Sequence, residues 1–136
     1  MKTEFFMHMI PPTITAQQHK VRVTKKKVPV FYDPPELATA KSKLEAHLAK
    51  HVYEKHQGAV ELVVKWCFPI AGRHRDGDYR TSKPDLDNLQ KALKDCITRL
   101  GFWIDDAYVV REISEKFWAD VPGIYIRITD IGDDNA

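Results

Sequence analysis

The chain is poor in cysteine and has no long apolar run, and both absences narrow its class. Only two cysteines occur among 136 residues, Cys67 and Cys96, and each falls on a predicted apolar face without a partner nearby in sequence. We expect buried, reduced thiols rather than a disulfide or a zinc site. No apolar run approaches the roughly 18 residues that span a bilayer, and the first residues lack a signal-peptide pattern. These features predict a cytoplasmic protein with no membrane partner.

Several catalytic motifs that would define other classes are also missing. The chain has neither a glycine-rich dinucleotide-binding pattern nor a Walker pattern. His47 and His51 are four residues apart, but no glutamate stands between them as a His-Glu-x-x-His zinc site requires. We interpret these histidines as part of a solvated helix face. No Ser, His and Asp set suggests a triad by its spacing, although residue order alone does not exclude one.

Acidic residues are absent between Glu4 and Asp33, although the net charge of the whole chain is only +2. Basic residues crowd into this acid-free stretch, and a second basic stretch ends just before residue 84. Such stretches supply phosphate contacts when DNA binds, but a lysine-rich loop is as often a plain solvated surface. A neighbouring acid cluster favours DNA binding, because an acidic metal pocket needs flanking positive charge to attract a polyanion. The candidate DNA-binding residues are Lys20, Arg22, Lys25, Lys26, Lys27, Arg73, Arg75, Arg80 and Lys83.

The pattern of apolar residues predicts a single α+β domain over residues 1–136, with a flexible tail at 131–136. The composition, 43% hydrophobic and 29% charged, is that of an ordinary globular domain. The predicted order is β-α-β-α-β-β, a two-layer domain with helices packed on a mixed sheet. Strands are predicted at 3–10, 60–68, 107–118 and 124–129. Helices are predicted at 36–56, ended by Gly58, and at 85–100, ended by Gly101. The remaining segments are an irregular basic connection at 13–34, a mobile loop at 71–83 and a hairpin turn at 120–123.

Two acidic residues stand at the start of the second predicted helix. Asp85 and Asp87 follow Pro84, which favours a helix start, so Asp85 is expected at or beside the N-cap and Asp87 in the first turn. In that arrangement the two carboxylates can converge, whereas two mid-helix residues with this spacing would point about 200° apart. Carboxylate oxygens suit Mg²⁺, which binds one or two protein carboxylates together with substrate phosphate. The pattern suggests phosphoryl chemistry.

A second acidic pair, Asp105 and Asp106, lies beyond the end of the same helix. For the two clusters to meet, the chain after Gly101 must double back, and the sequence leaves their meeting point open. The alternative is purely structural: Asp85 caps the helix, Asp87 pairs with Lys91, and the later acids form an ordinary turn.

The string Pro-Asp-Leu-Asp-Asn-Leu-Gln-Lys at 84–91, followed by Gly-Phe-Trp-Ile-Asp-Asp-Ala-Tyr-Val-Val at 101–110 and by Lys116, strongly resembles the RusA family of Holliday junction resolvases. The resemblance is specific over about residues 60–130 and looser at the proline-rich stretch 11–17. The stretch from about 70 to 82 departs from the family pattern and leaves the details of DNA engagement open.

The resemblance implies a small homodimeric endonuclease of phage or prophage type that requires Mg²⁺, for which Mn²⁺ can substitute. It places metal-binding, catalytic aspartates at Asp85, Asp87 and Asp106 and the essential lysine at Lys91. Asp105 and, within the same motif, Asn88 are supporting positions. The expected function is paired cleavage of four-way DNA junctions in recombination and repair. Two alternatives stay open: a nuclease for flaps or forks with the same site, and a non-catalytic protein that binds branched DNA.

Overall fold

The computed structural model describes residues 1–14, 20–23, 29–32 and 35–132, and for 20–23 and 29–32 it describes the backbone alone. The elements run in the order β1 (Lys2–Met7), β2 (Lys20–Val23), β3 (Pro29–Tyr32), α1 (Pro35–Leu48), β4 (Val60–Pro69), α2 (Leu86–Leu100), β5 (Val109–Ala119) and β6 (Gly123–Asp130). Two short 3-10 helices occupy Ala49–His51 and Asp106–Tyr108.

The main sheet has four strands in the order β1-β6-β4-β5. β4 and β5 are parallel, whereas β6 is antiparallel to both β4 and β1. The helix α2 is the crossover that connects the parallel pair, and it packs beside α1. Helices and a mixed sheet therefore form the predicted α+β arrangement. Strands β2 and β3 pair with each other in a separate two-stranded sheet.

The predicted order β-α-β-α-β-β is wrong in detail. The basic connection at 13–34 contains β2 and β3, so the described order is β-β-β-α-β-α-β-β. β5 and β6 do not form the predicted hairpin, because β4 lies between them and pairs with both. Alternation along a strand reports which face is buried and does not report which neighbour supplies the hydrogen bonds.

The first long helix is shorter than predicted. α1 ends at Leu48, and after one 3-10 turn the backbone becomes extended at Val52. Gly58 lies ten residues beyond the end of α1 and is not in the left-handed conformation that often ends a helix, so the prediction that it ends this helix is wrong. The apolar spacing continues into Val52 because that side chain packs on the core from an irregular segment.

The core lies between the helices and one face of the sheet. From β4, Leu62, Val64, Trp66 and Phe68 point inward, which is the period of two expected of a strand with one buried face. α2 contributes its apolar stripe, including Leu89, Leu93 and Ile97, and residues Phe102 and Trp103 complete the layer. Cys96 is buried in this core, and burial raises the pKa of its thiol to about 12. Cys67 is only partly buried, and both cysteines are free thiols.

The segment 71–83, predicted to be a mobile loop, is attached to the outer edge of β5. The Gly77 amide donates to the Trp118 carbonyl at 2.8 Å, and the Trp118 amide donates to the Asp78 carbonyl at 2.8 Å. The Arg80 amide donates to the Lys116 carbonyl at 3.0 Å. These bonds cover the second half of the β5 edge. Within the described residues, no helix is long and apolar enough to cross a bilayer.

Candidate active site at the two ends of helix α2

Asp85 occupies the N-cap of α2 with extended backbone (φ −70°, ψ 143°), but its side chain makes no capping hydrogen bond. Its carboxylate is instead paired with Lys83, with Nζ at 2.9 Å from Oδ1 and 3.0 Å from Oδ2. The interpretation that this carboxylate serves as a helix cap is therefore wrong. The placement of Asp85 at the N-cap and Asp87 in the first turn is confirmed.

Asp87 and Lys91 are exposed one helical turn apart, yet they do not form the ion pair that the structural alternative requires. Within the part of the chain that the structure describes, neither side chain has a hydrogen bond or a salt bridge. Asn88, between them, is half-buried. The first turn of α2 thus presents a carboxylate and an ammonium that local structure does not use.

Lys116 fixes the segment that leads into α2. Its Nζ donates to the carbonyl of Ser82 at 2.8 Å and to the carbonyl of Pro84 at 2.7 Å. Burial lowers the pKa of Lys116, the nearby Arg80 charge lowers it further, and Asp85 opposes both effects. Sequence reasoning gave this lysine no role of its own. The sequence did offer one indication of its role. Lys116 stands two residues before Trp118 on the same strand, and side chains two residues apart lie on the same face of a sheet, which here is the buried face.

Arg80 braces the same segment from the other side. Its guanidinium lies over the rings of Phe68 and Trp118, 4.3 and 4.7 Å from their centroids, and donates to the Lys83 carbonyl. Burial lowers the pKa of this guanidinium. Arg80 is therefore only partly available to DNA. Arg73, Arg75 and Lys83 are exposed, as a DNA-binding surface requires.

An open groove of about 500 Å³ extends from Asp87 along the side of α2 that faces β5. Gln90 forms its floor, accepting a hydrogen bond from Trp66 Nε1 at 2.6 Å and donating to Glu112 at 2.7 Å. Lys94, one turn further, pairs with the other oxygen of Glu112 at 2.9 Å. Asp87 therefore borders a groove that is open to solvent and rich in polar side chains.

The second acidic pair lies at the opposite end of α2. The helix ends at Gly101 as predicted, with a left-handed φ of 84° at this residue, and the chain then turns into the 3-10 helix Asp106–Tyr108. Asp105 is extended and precedes this turn, so the pair lies just before strand β5. Both carboxylates are exposed, and neither has a hydrogen bond or ion pair with any described residue.

A buried histidine anchors this second end. The His56 amide donates to the Phe102 carbonyl at 2.8 Å, and its ring lies between Thr3 Oγ1 at 2.9 Å and Asp130 Oδ1 at 2.6 Å. Burial opposes ionisation of Asp130, but hydrogen bonds from His56 and from the chain's N-terminus lower its pKa overall. His56 is thus a buried core residue, although the sequence predicts it at the end of the first helix.

The structure does not bring the two acid clusters together within one chain. Helix α2 and strand β5 run antiparallel to each other. Lys116, late in β5, contacts Pro84 before the helix, whereas Glu112, early in β5, contacts Gln90 and Lys94 within it. Asp106, three residues before β5 begins, consequently lies near the C-terminal end of α2. Among the described residues, no group of three or more acidic, histidine or cysteine side chains could hold a metal ion.

Part of the predicted DNA-binding set cannot be placed as side chains. Lys25, Lys26 and Lys27 lie outside the described residues, and Lys20 and Arg22 lie on β2, where only the backbone is described. Their role stays a prediction.

Comparison with known proteins defines the class. The family model described as "Endodeoxyribonuclease RusA" matches residues 10–129. The chain is 32% identical over 133 residues to the crossover junction endodeoxyribonuclease rusA of Lactococcus phage r1t, which covers 96% of this chain and 100% of that protein. It is also 45% identical over 51 residues to the crossover junction endodeoxyribonuclease RusA of Escherichia coli K12, covering 37% of this chain and 42% of that protein. The class is therefore the endodeoxyribonucleases. Within that class, the chain belongs to the RusA family.

Proposed function

We propose that this protein is a Mg²⁺-dependent endonuclease that resolves four-way DNA junctions by paired phosphodiester cleavage during recombination and repair in the cytoplasm. The observation that carries the proposal is that Asp85 and Asp87 stand together at a helix start while neither carboxylate caps the helix. The names of the phage and bacterial relatives, which specify crossover junctions, supply the substrate class.

The acidic residues fit a hard divalent cation in their chemistry but not in their arrangement within one chain. Asp85 and Asp87 offer carboxylate oxygens at the start of α2, where Asp87 borders an open groove, and Asp106 is the third proposed ligand. Because Asp106 lies at the other end of α2, a single chain does not close the set. When bound, Mg²⁺ or Mn²⁺ would supply Lewis acidity and an activated water.

The basic side chains around Asp85 supply the positive charge that a phosphate backbone requires. Lys83 and Lys91 are exposed beside the two aspartates, while Lys116 fixes the backbone that carries them. Lys91 is proposed to add positive charge at the scissile phosphate in the transition state. Exposed Arg73 and Arg75 extend the basic surface beyond the site. Asn88 and Asp105 are proposed as supporting residues.

Two identical scissile strands call for two identical sites. A four-way junction has two-fold symmetry, and a C₂ homodimer presents the same site twice. We therefore propose that the active form is a homodimer, which also explains how a chain of 136 residues can act on so large a substrate.

The test is cleavage of a synthetic immobile four-way junction with and without Mg²⁺. Symmetrical cuts that need the ion and that outnumber cuts in linear duplex, flap and fork substrates are expected. Equal cutting of flaps or forks would assign the same site to a different substrate. Junction binding without any divalent-dependent cutting would make the protein a non-catalytic binder.

A further inference from the structure

We propose that Tyr79 is a base-stacking platform: the open face of its ring stacks on a base that is exposed at the branch point of the DNA. Tyr79 is then a specificity-determining residue, which favours branched substrates over continuous duplex. The inference rests on the proposed function and names the part of the substrate that this residue contacts.

Tyr79 holds one face of its ring against the protein and presents the other to solvent. The residue is 63% exposed, and its ring is stacked on that of half-buried Phe117, with centroids 5.1 Å apart and an angle of 22° between the planes. Its hydroxyl donates to Glu115 Oε2 at 2.9 Å. This hydrogen bond and the Glu115 charge raise the pKa of Tyr79. The open face is therefore a flat and uncharged π-surface.

The backbone that carries this ring is fixed before any ligand binds. Tyr79 forms an antiparallel bridge with Phe117 at the edge of β5. Just before it, Asp78 Oδ2 accepts a hydrogen bond from the Arg75 amide at 2.8 Å. The hydroxyl bond to Glu115 then fixes the direction of the side chain. A ring that is already ordered loses little conformational entropy when a ligand stacks on it, so Tyr79 is preorganised for binding.

The segment 71–83 places positive charge beside the ring. It holds four basic residues and two acidic ones, and both acids, Asp76 and Asp78, accept hydrogen bonds from backbone amides. The exposed basic residues are Arg73, Arg75 and Lys83. Unpaired nucleotides are bound by this combination, because cations contact the phosphates while an aromatic ring contacts a base. Charge complementarity therefore favours DNA as the occupant of this surface over an apolar protein surface.

Tyr79 lies close enough to the proposed catalytic aspartates to contact the same branch point. Asp85 follows Tyr79 by six positions, so their Cα atoms are at most about 21 Å apart. This distance corresponds to about six nucleotides along one strand of a duplex. Lys116, the neighbour of Phe117 on β5, contacts the Pro84 carbonyl. The ring and the start of α2 therefore lie at the same edge of the sheet.

A branched substrate offers the base face that this ring needs. In continuous duplex each base pair is stacked on both sides, so a side chain that inserts has to unstack two of them at a cost in free energy. Where the arms of a four-way junction separate, the pair beside the branch loses one stacking neighbour. The Tyr79 ring replaces that neighbour whatever the sequence, because every base has a π-face.

The first test measures affinity for a four-way junction and for linear duplex, by gel-shift titration at one salt concentration and without divalent ions. Tyr79→Ala removes the ring, and Tyr79→Leu keeps an apolar cover over Phe117 but has no π-face. Both should weaken junction binding about tenfold or more and change duplex binding less than about twofold. Tyr79→Phe keeps the ring and should bind the junction as the wild type does.

Tyr53→Ala is the matched control. Tyr53 is 77% exposed and lies between α1 and β4, so its loss should leave both affinities unchanged. Circular dichroism checks that every variant is folded.

The second test detects the contact itself by photo-crosslinking a junction that carries iodouracil either beside the branch point or in the middle of an arm. Mass spectrometry of the crosslinked peptides should identify Tyr79 with the branch-point label and not with the mid-arm label. The crosslink should persist at this position in Tyr79→Phe and disappear in Tyr79→Leu.

Wild-type junction affinity in Tyr79→Leu would overturn the proposal and leave Tyr79 as a cover for Phe117. Equal weakening of junction and duplex binding, or equal crosslinking from both labels, would overturn the preference for the branch point. Failure of the proposed function has a different result, because neither test requires cleavage. A wild type that crosslinks through Tyr79 but does not cut junctions with Mg²⁺ would refute the nuclease and support the platform.

Discussion

The two ends of α2 carry the same kind of side chain in opposite settings. At the N-terminal end, Asp85 is paired with Lys83, and the backbone that leads to it is fixed by Lys116 and Arg80. At the C-terminal end, Asp105 and Asp106 are exposed at a 3-10 turn, and the chain that leads to this turn is held from the core side by the hydrogen bond between His56 and Phe102.

The two ends of α2 therefore differ in the charge and the shape of the surface around their carboxylates. The N-terminal end holds acids, cations and a groove together, and cations near the acids moderate their mutual repulsion. The C-terminal end holds acids that form no ion pair with any described residue, on a surface with exposed apolar residues. Aspartates at the two ends of α2 thus differ in the side chains that surround them.

The largest effect is expected from removing the charge of single aspartates at either end of α2. Asp85→Asn, Asp87→Asn and Asp106→Asn should each lower the rate of junction cleavage by at least about 100-fold, because each removes a ligand charge that Mg²⁺ needs while keeping the side-chain shape. Junction affinity should hold or rise, since a negative charge facing phosphates is lost. Single-turnover cleavage and gel-shift titration measure the two quantities.

Asp105→Asn is the internal control and should retain most of the activity. Full activity in all three other variants would refute the metal-site assignment. If instead Asp106→Asn alone were active, only the N-terminal end of α2 would belong to the site.

The second effect concerns Lys116, which fixes the backbone at the N-terminal end of α2. Lys116→Met removes both hydrogen bonds to the Ser82 and Pro84 carbonyls. We expect kcat to fall about 10- to 100-fold with little change in KM, because a small displacement of a catalytic group costs rate more than binding. Lys116→Arg should restore part of kcat. A drop in thermal stability with unchanged kcat would assign Lys116 a purely structural role.

The sequence predicts α2 and its acids better than it predicts their surroundings. Five apolar residues at helical spacing, Pro84 before the helix and Gly101 after it place α2 to within one residue. The relation of Asp106 to Asp85 could not be predicted, because it depends on β5 pairing parallel to β4 rather than with β6. That choice is made by long-range packing, and no local residue pattern encodes it.

The third effect concerns the backbone conformation at the C-terminal end of α2. Gly101→Ala places a side chain at φ 84° and should lower the free energy of unfolding by about 1 kcal/mol. The nearest atom to the added Cβ would be Lys55 Cε at 3.7 Å, so the cost is conformational and not steric. Urea denaturation measures it. Gly58→Ala, where φ is ordinary and space is open, is the matched control and should be close to neutral.

The smallest effect is expected from weakening the contacts of Asp130 with His56 and with the N-terminus. Asp130→Asn disrupts the network with His56 and the N-terminus and should cost about 1 kcal/mol or less, since the Asp130 side chain is 37% exposed and its interactions are screened. The folded-state pKa of Asp130 lies below the ordinary value of 3.8. Its contribution is therefore full above about pH 4 and is lost as pH falls through the lower folded-state value.

Urea midpoints of wild type and Asp130→Asn, compared from pH 7 down to pH 2, should converge only at the acid end. A difference that persists undiminished at pH 2 would show that the carboxylate charge is not what stabilises the wild type.

The segment Gly77–Arg80 also limits the pairing of further strands with the main sheet at the β5 edge. An open sheet can grow at its edge, and repeated growth leads to aggregates. Because the segment occupies half of the β5 edge, only a short stretch of that edge is left to pair with another strand. Charged Arg111 and Glu112 within that stretch further disfavour non-specific strands. Deleting residues 76–80 would expose the full strand, and the expected result is a protein that precipitates during expression.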